Sequence, residues 1–374
     1  MHSLLLLLPL LGLTQAADPR LCSKNGPLSG SDFTLQESAD IAHFAPLAEI
    51  FTSAGKNVSV AQVLDSANRA LSAGSPPVGN GDPKEAWAWN DGDFATAKWV
   101  PQGVSGSWDA DASGKWEDRD VWLVSWHDAD DKNVRVSFVD REKKSYRHVF
   151  LVEPSADDDF TSVDVHAGGI AWYGSFLYVV DTTGGIRVFD MGNLWEMDAI
   201  ADGVGKASDG SYSAAGYRYV LPQIRTYKWI PGSDSEFRFS WISLDRSDNT
   251  LLVGEFVRDA AADPVRFTKY PVDSATGRLK TDADGVCAAT FAYCVDFERV
   301  QGGFSYNGQF YVSRSNGNVP KTGDLFTWKP GSGSKFHEGW FMAGNEDLSY
   351  NEVSKEWYTV TEYEDGRYIL AYDV

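Results

Sequence analysis

Gly168-Gly169-Ile170-Ala171-Trp172-Tyr173-Gly174-Ser175-Phe176-Leu177-Tyr178-Val179 and Gly302-Gly303-Phe304-Ser305-Tyr306-Asn307-Gly308-Gln309-Phe310-Tyr311-Val312 are two copies of one pattern. A glycine pair leads into an apolar residue, a tyrosine, a turn glycine and a strand closing on tyrosine-valine. Two β-rich runs around a tight turn read as a hairpin, and its recurrence reads as a repeat architecture. Outward from these copies, Asp347 to Tyr350 leads into Trp357-Tyr358-Thr359-Val360 as a looser third copy. Val100 to Asp140 and Tyr219 to Tyr270 supply two further units of short strands separated by Gly, Asp and Asn. Units of strand, turn, strand, loop and strand predict an all-β chain folded as a β-propeller. The count is five blades, with six or seven as alternatives, and the insertion from Asp198 to Gly216 is where a further blade would hide. A two-sheet sandwich is the competing architecture.

Before the repeats the chain changes character. Residues 17–85 form a helical N-terminal segment and linker: Asp40 to Phe44 and Ala61 to Leu71 carry helical periodicity, with Ser59 as an N-cap. Ser75 to Pro83 is a Pro- and Gly-rich break, and the propeller is expected over 86–374. Leu4 to Leu13, followed by Thr14-Gln15-Ala16, reads as an export signal over residues 1–16, cut after Ala16. The expected protein is therefore secreted, extracellular and monomeric. Asn57-Val58-Ser59 is a glycosylation sequon at Asn57. In an oxidising compartment Cys287 and Cys294 are expected to bridge a short hairpin, leaving Cys22 unpaired or bound elsewhere.

Charge excludes one class of partner. In 374 residues, 53 Asp and Glu against 33 Lys and Arg give a net charge of −20, which repels nucleic acid and anionic membrane surfaces. No later apolar stretch reaches the length of a membrane helix.

In a propeller the starts of the innermost strands converge on a central channel. Those starts read Pro101-Gln102-Gly103, His166-Ala167-Gly168, Pro222-Gln223, Gln301-Gly302 and Asn345-Glu346-Asp347. Packing alone would favour apolar residues there, so the polar ring points to a hydroxyl-rich ligand such as a polysaccharide or oligosaccharide. His166, with Glu346 or Asp347, is the candidate acid–base set. Gln102, Gln223 and Gln301 would orient hydroxyls, with His127 and Arg225 as further ligand-binding residues. Neighbours in a strand face opposite ways, so only one of Glu346 and Asp347 is expected to enter the channel. The reaction would be hydrolysis or lyase chemistry. The alternatives are a non-catalytic adhesion or host-interaction module using the rim, and a metal-dependent lactonase or phosphatase-like propeller. Acid-rich loops at 109–111, 128–131, 157–159 and 282–284 offer oxygen ligands for a structural calcium ion, although solvated surface charge is their ordinary reading.

Several segments resemble a family of uncharacterised secreted proteins of filamentous fungi and actinomycetes. They include Lys98 to Gly103, Leu123 to Trp126, Val134 to Asp140, Tyr146 to Val149, His166 to Gly169, Gly216 to Gln223, Gln301-Gly302 and Glu346 to Leu348. The resemblance spans Trp99 to the C-terminus and implies export and one β-rich domain; it implies no catalytic residues.

Overall fold

Five strands that each begin with a polar residue or a glycine, or just after one, organise the chain: β1 (Trp99–Gly106), β2 (Ala167–Tyr173), β3 (Trp241–Asp245), β4 (Val300–Tyr306) and β5 (Asn345–Asn351). The computed structural model describes residues 26–76, 79–231, 236–258, 265–318 and 320–373. The export signal at 1–16 and Cys22 lie outside them.

Each of the five strands opens a four-stranded antiparallel unit. β1 is followed by Val121–Asp128, Val134–Asp140 and Ser145–Ala156. β2 is followed by Phe176–Asp181, Gly185–Asp190 and Tyr219–Pro231. β3 is followed by Thr250–Gly254, Val265–Pro271 and Phe291–Val295. β4 is followed by Gln309–Arg314, Gly323–Trp328 and Lys335–Phe341. β5 is followed by Glu356–Thr361 and Tyr368–Asp373, and its fourth strand is Glu85–Ala88 from the other end of the chain. β1 to β5 neighbour one another in cyclic order, and β5 returns to β1. A sandwich cannot close in this way; the fold is a β-propeller.

One predicted boundary moves. Tyr219–Pro231 was expected to open a unit, but it pairs along Gly185–Asp190 and closes the second unit instead. Its first residues also run parallel to Phe150–Val152, which joins the first two units into one sheet. The insertion at 198–216 forms a two-stranded hairpin, Val204–Lys206 with Tyr212–Ala214, and no blade.

The N-terminal segment contains helices with shifted bounds: α1 (Phe44–Ser53) starts where the expected stretch Asp40 to Phe44 ends, and α2 (Val60–Asp65) stops short of Leu71 because Arg69–Ala70 is a strand. Ser59 caps α2 in a reciprocal capping box with Gln62. Short strands before and after the helices pair with outer strands of the propeller: Phe33–Glu37 lies along Tyr219–Pro231, and Arg69–Ala70 along Ser145–Tyr146. The segment thus covers sheet edges that would otherwise be open.

The glycines of the repeat are explained at the axis. A Cβ on Gly168 would lie 2.1 Å from the Ser240 carbonyl oxygen, and one on Gly103 would lie 2.6 Å from the Gly168 carbonyl oxygen. The inner strands approach backbone to backbone, and only glycine permits that. Gly168→Ala should therefore lower the unfolding free energy by about 1–3 kcal/mol or more through overpacking, measured as a fall in the urea midpoint with unchanged slope. An unaltered midpoint would contradict the close approach.

The predicted Cys287–Cys294 bridge is not formed. Cys287 is free and buried, opposite Leu35 in a strand pair outside the ladder that carries Cys294 opposite Arg266. The seven-residue spacing crosses from one sheet to another instead of closing one hairpin. Burial pushes the Cys287 thiol up to about 12, which leaves it unreactive.

Candidate functional site

Four of the five inner strands carry a register shift at their first residues: between Pro101 and Val104, Ala167 and Ile170, Val300 and Gly302, and Asn345 and Leu348. Bulges re-aim side chains, and these lie where the polar residues of the ring stand. In each hairpin the end of the second strand sits opposite that start, as in Trp99 with Asp128, Ala167 with Asp181 and Asn345 with Thr361. The two sets of residues meet in one cavity.

That cavity has a volume of about 400 Å³, within the roughly 300–1,000 Å³ usual for small-molecule sites. From the inner strands come Gln102, Gln301 and Glu346, with His166 and Ser240 just ahead of β2 and β3. From the ends of the second strands come His127, Thr182, Phe256 and Glu362. Val100 and Arg238 complete the lining. The structure thus brings together five of the sequence candidates, His166, Glu346, Gln102, Gln301 and His127.

Two clusters organise it. Glu346 and Glu362 are hydrogen-bonded to each other. The Gln301 side-chain amide donates to Glu346 Oε1 at 2.8 Å, and that of Gln102 donates to Glu362 Oε2 at 3.3 Å. Burial, and then the neighbouring Glu362 carboxyl, raises Glu346 well above the ordinary carboxylate range; burial raises Glu362 as well. Two adjacent buried carboxyls cannot both ionise cheaply, so full ionisation of the pair is disfavoured.

Across the cavity the rings of His127 and His166 lie 4.1 Å apart. Their Nδ1 atoms reach the same oxygen of Asp131, at 2.6 Å and 2.9 Å. Burial, followed by the charge of His166, lowers the pKa of His127, which favours the neutral ring. His127, Asp131 and His166 offer ligand atoms that all lie within 4.8 Å of one another, a donor set suited to zinc or a similar divalent ion. Among the described residues no other such group occurs. Asp131 comes from the predicted calcium loop at 128–131, while other acids of those loops are held by partners of their own: Asp109 by Ser105 and Ser349, Asp128 by Asn133, Asp158 by Lys206, and Asp282 by the backbone of its own loop.

The remaining candidates lie elsewhere. Asp347, 1 % exposed, points away from the cavity into the ring, where its carboxyl accepts the backbone N–H groups of Val104, Ile170 and Leu348 at 3.3, 3.2 and 3.0 Å. It is placed to pin three backbone segments around the axis. Gln223 and Arg225 sit on the outer strand Tyr219–Pro231: Gln223 accepts from Arg187, while Arg225 pairs with Glu37 at 3.1 Å and Asp40 at 2.8 Å. Asn57 is exposed and donates to the Gly192 carbonyl.

Glu362, Thr182, Phe256, Ser240 and Arg238 were not read from the sequence as site residues, and Asp131 was read only as part of an acid-rich loop. For the first three the missing signal was the hairpin register, which pairs each second-strand end with a polar strand start.

No family model matches the chain, and no curated protein does. Among solved structures it is similar to the β-propeller domain of Cps50 (Swd1) from Myceliophteria thermophila, at 13% identity and a TM-score of 0.38, over 82% of this chain and 99% of that one. It is also similar to the computationally designed Ika8 protein, at 12% identity and a TM-score of 0.28, over 73% and 71%. The propeller rests on the strand pairings above; the function has to be argued from the site.

Proposed function

We propose that this is a secreted saccharide-binding protein, with a neutral, polyhydroxylated ligand seated in the axial cavity. The observation that carries this reading is the hydrogen-bonded pair of Glu346 and Glu362 in a cavity lined by amides and hydroxyls. A cavity whose paired acids resist full ionisation presents donors and acceptors with little net charge, which suits sugar hydroxyls. Gln102, Gln301, Thr182 and Ser240 add amides and hydroxyls, and the partly exposed Phe256 offers a ring face for stacking.

The same pair argues for binding ahead of hydrolysis. Glycosidase carboxyls stand about 5–5.5 Å or 6.5–9.5 Å apart on opposite sides of the scissile bond, whereas these two touch and act as one group.

Isothermal titration of the secreted protein against plant and microbial oligosaccharides, with a reducing-end assay alongside, tests this. Glu346→Gln and Phe256→Ala should each weaken the best ligand at least about tenfold, or roughly 1.4 kcal/mol, with no products formed. Affinity should also fall as pH rises through the titration of the pair, because its second ionisation sets two anions side by side. Binding that survives both substitutions but fails on changing exposed loop aromatics would assign the protein to rim-mediated adhesion instead.

The cluster of His127, Asp131 and His166 favours a second reading, in which a divalent cation at the rim recognises the carboxylate of an acidic sugar. Ligand binding lost on chelation and restored by zinc would select it.

A further inference from the structure

We propose a second ligand site, for a small tetrahedral oxyanion, in an arginine-lined pocket on the outer part of the first unit. It is independent of the saccharide reading and shares no lining residue with the axial cavity. The pocket has a volume of about 320 Å³. Arg69 from the N-terminal edge strand, Arg135 and Arg147 from the first unit, and Arg218 from the end of the insertion converge on it.

The local charge count is what marks it. Two carboxylates face these four guanidinium groups. Asp93 takes Arg135 at 2.8 Å and Arg69 at 3.1 Å, and Glu196 takes Arg218 at 2.6 Å. Arg147 has no carboxylate within 4.0 Å among the described residues; it donates to the Ser66 carbonyl and packs over Tyr219. Arg135 is 3 % exposed, and its Nε has no partner. His148, beside them, is held neutral and adds no compensating anion. The pocket therefore carries a surplus of two positive charges in a chain whose net charge is −20.

Such a concentration of like charge opposes folding unless something neutralises it. Burial, together with the charges of Arg218 and Arg69, lowers the pKa of Arg147, consistent with that crowding. A dianion with several oxygens matches both the surplus and the fork geometry of guanidinium groups. Sulfate and phosphate share this chemistry, either as free ions or as esters on a small carbon skeleton.

The test is titration of the full-length secreted protein with sodium sulfate and sodium phosphate, read by calorimetry and by melting temperature, with sodium chloride at matched ionic strength and sodium acetate as controls. Saturable binding of sulfate or phosphate is expected, with affinity at least tenfold lower in Arg147→Gln and in Arg218→Gln. Arg218 is exposed, so its substitution keeps the test valid if Arg147→Gln fails to fold. Glucose 6-phosphate or a 6-sulfated hexosamine binding more tightly than the inorganic ion would identify an ester as the source; equal or weaker binding would identify the free ion. Equal responses to acetate or chloride, or equal sulfate binding in Arg218→Gln and the native chain, would overturn the proposal.

Discussion

Replacing Asp347 by Ala should destabilise the protein by roughly 3–5 kcal/mol, because each buried N–H left without a partner costs about 1–3 kcal/mol and three converge on this carboxyl. Asn should cost less, since its carbonyl oxygen still accepts from Val104 and Ile170. The effect belongs to stability and not to ligand recognition: at temperatures where Asp347→Asn remains folded, its saccharide affinity should match the native chain. Urea unfolding and calorimetry on the same samples separate the two. Asp347→Ala with native stability but no binding would return this residue to the functional site. Burial raises the Asp347 pKa, against the three N–H donors. A carboxyl that keeps its proton longer when folded loses stability as pH rises above its unfolded value, near about 3.9. Asp347→Asn should flatten that slope.

Asp93→Ala should be comparably severe, at about 3–5 kcal/mol, the range for removing one partner of a buried ion pair. Asp93, 5 % exposed, holds Arg135, Arg69 and His148 and accepts from the Tyr146 hydroxyl at 2.6 Å. Burial alone would raise its pKa; the hydrogen bonds of His148 and Tyr146 and the charge of Arg135 reverse that and hold it well below the ordinary range. Burial, and then the charge of Arg135, depresses His148 to about 3.

Both shifts act in the same direction. The unfolded chain takes up a proton at His148 below about pH 6.5 and at Asp93 below about pH 3.9, while the folded chain takes up neither until lower pH. Stability contributed by these groups is complete above about pH 6.5 and is lost progressively from there toward pH 3. Because Asp347 and Glu346 act in the opposite sense, the contribution is read against His148→Gln: the native chain's urea midpoint should fall relative to that variant's from pH 7 to pH 5 and 4, and a constant difference would contradict the assignment.

The site was legible where local sequence decides position. Gln102, His166, Gln301 and Glu346 were found because each stands beside a glycine or a repeat start, and the alternation of strand residues correctly separated Glu346 from Asp347. The failures share one cause. Tyr219–Pro231 has the β-branched and aromatic composition of any buried strand, and composition does not say whether a strand is first or last in its sheet. Placing it first put Gln223 and Arg225 at the axis, whereas pairing with Gly185–Asp190 puts them on the outside. Phe256 and Glu362 escaped notice for the complementary reason: they precede no glycine, and only the ladder sets them opposite the strand starts.

The sequence by itself determined the all-β class, the repeat, the helix cap at Ser59 and the polar character of the axial ring, because strand periodicity, turn glycines and capping are properties of neighbouring residues. The tertiary structure decided which strands lie innermost, that Glu85–Ala88 closes the last unit beside Tyr368–Asp373, that Cys287 stays reduced, and that Glu346 meets Glu362 and His127 meets His166. Those outcomes depend on pairings between distant parts of the chain. Burial and opposed charge then set the protonation of the groups so joined, and no local pattern encodes that.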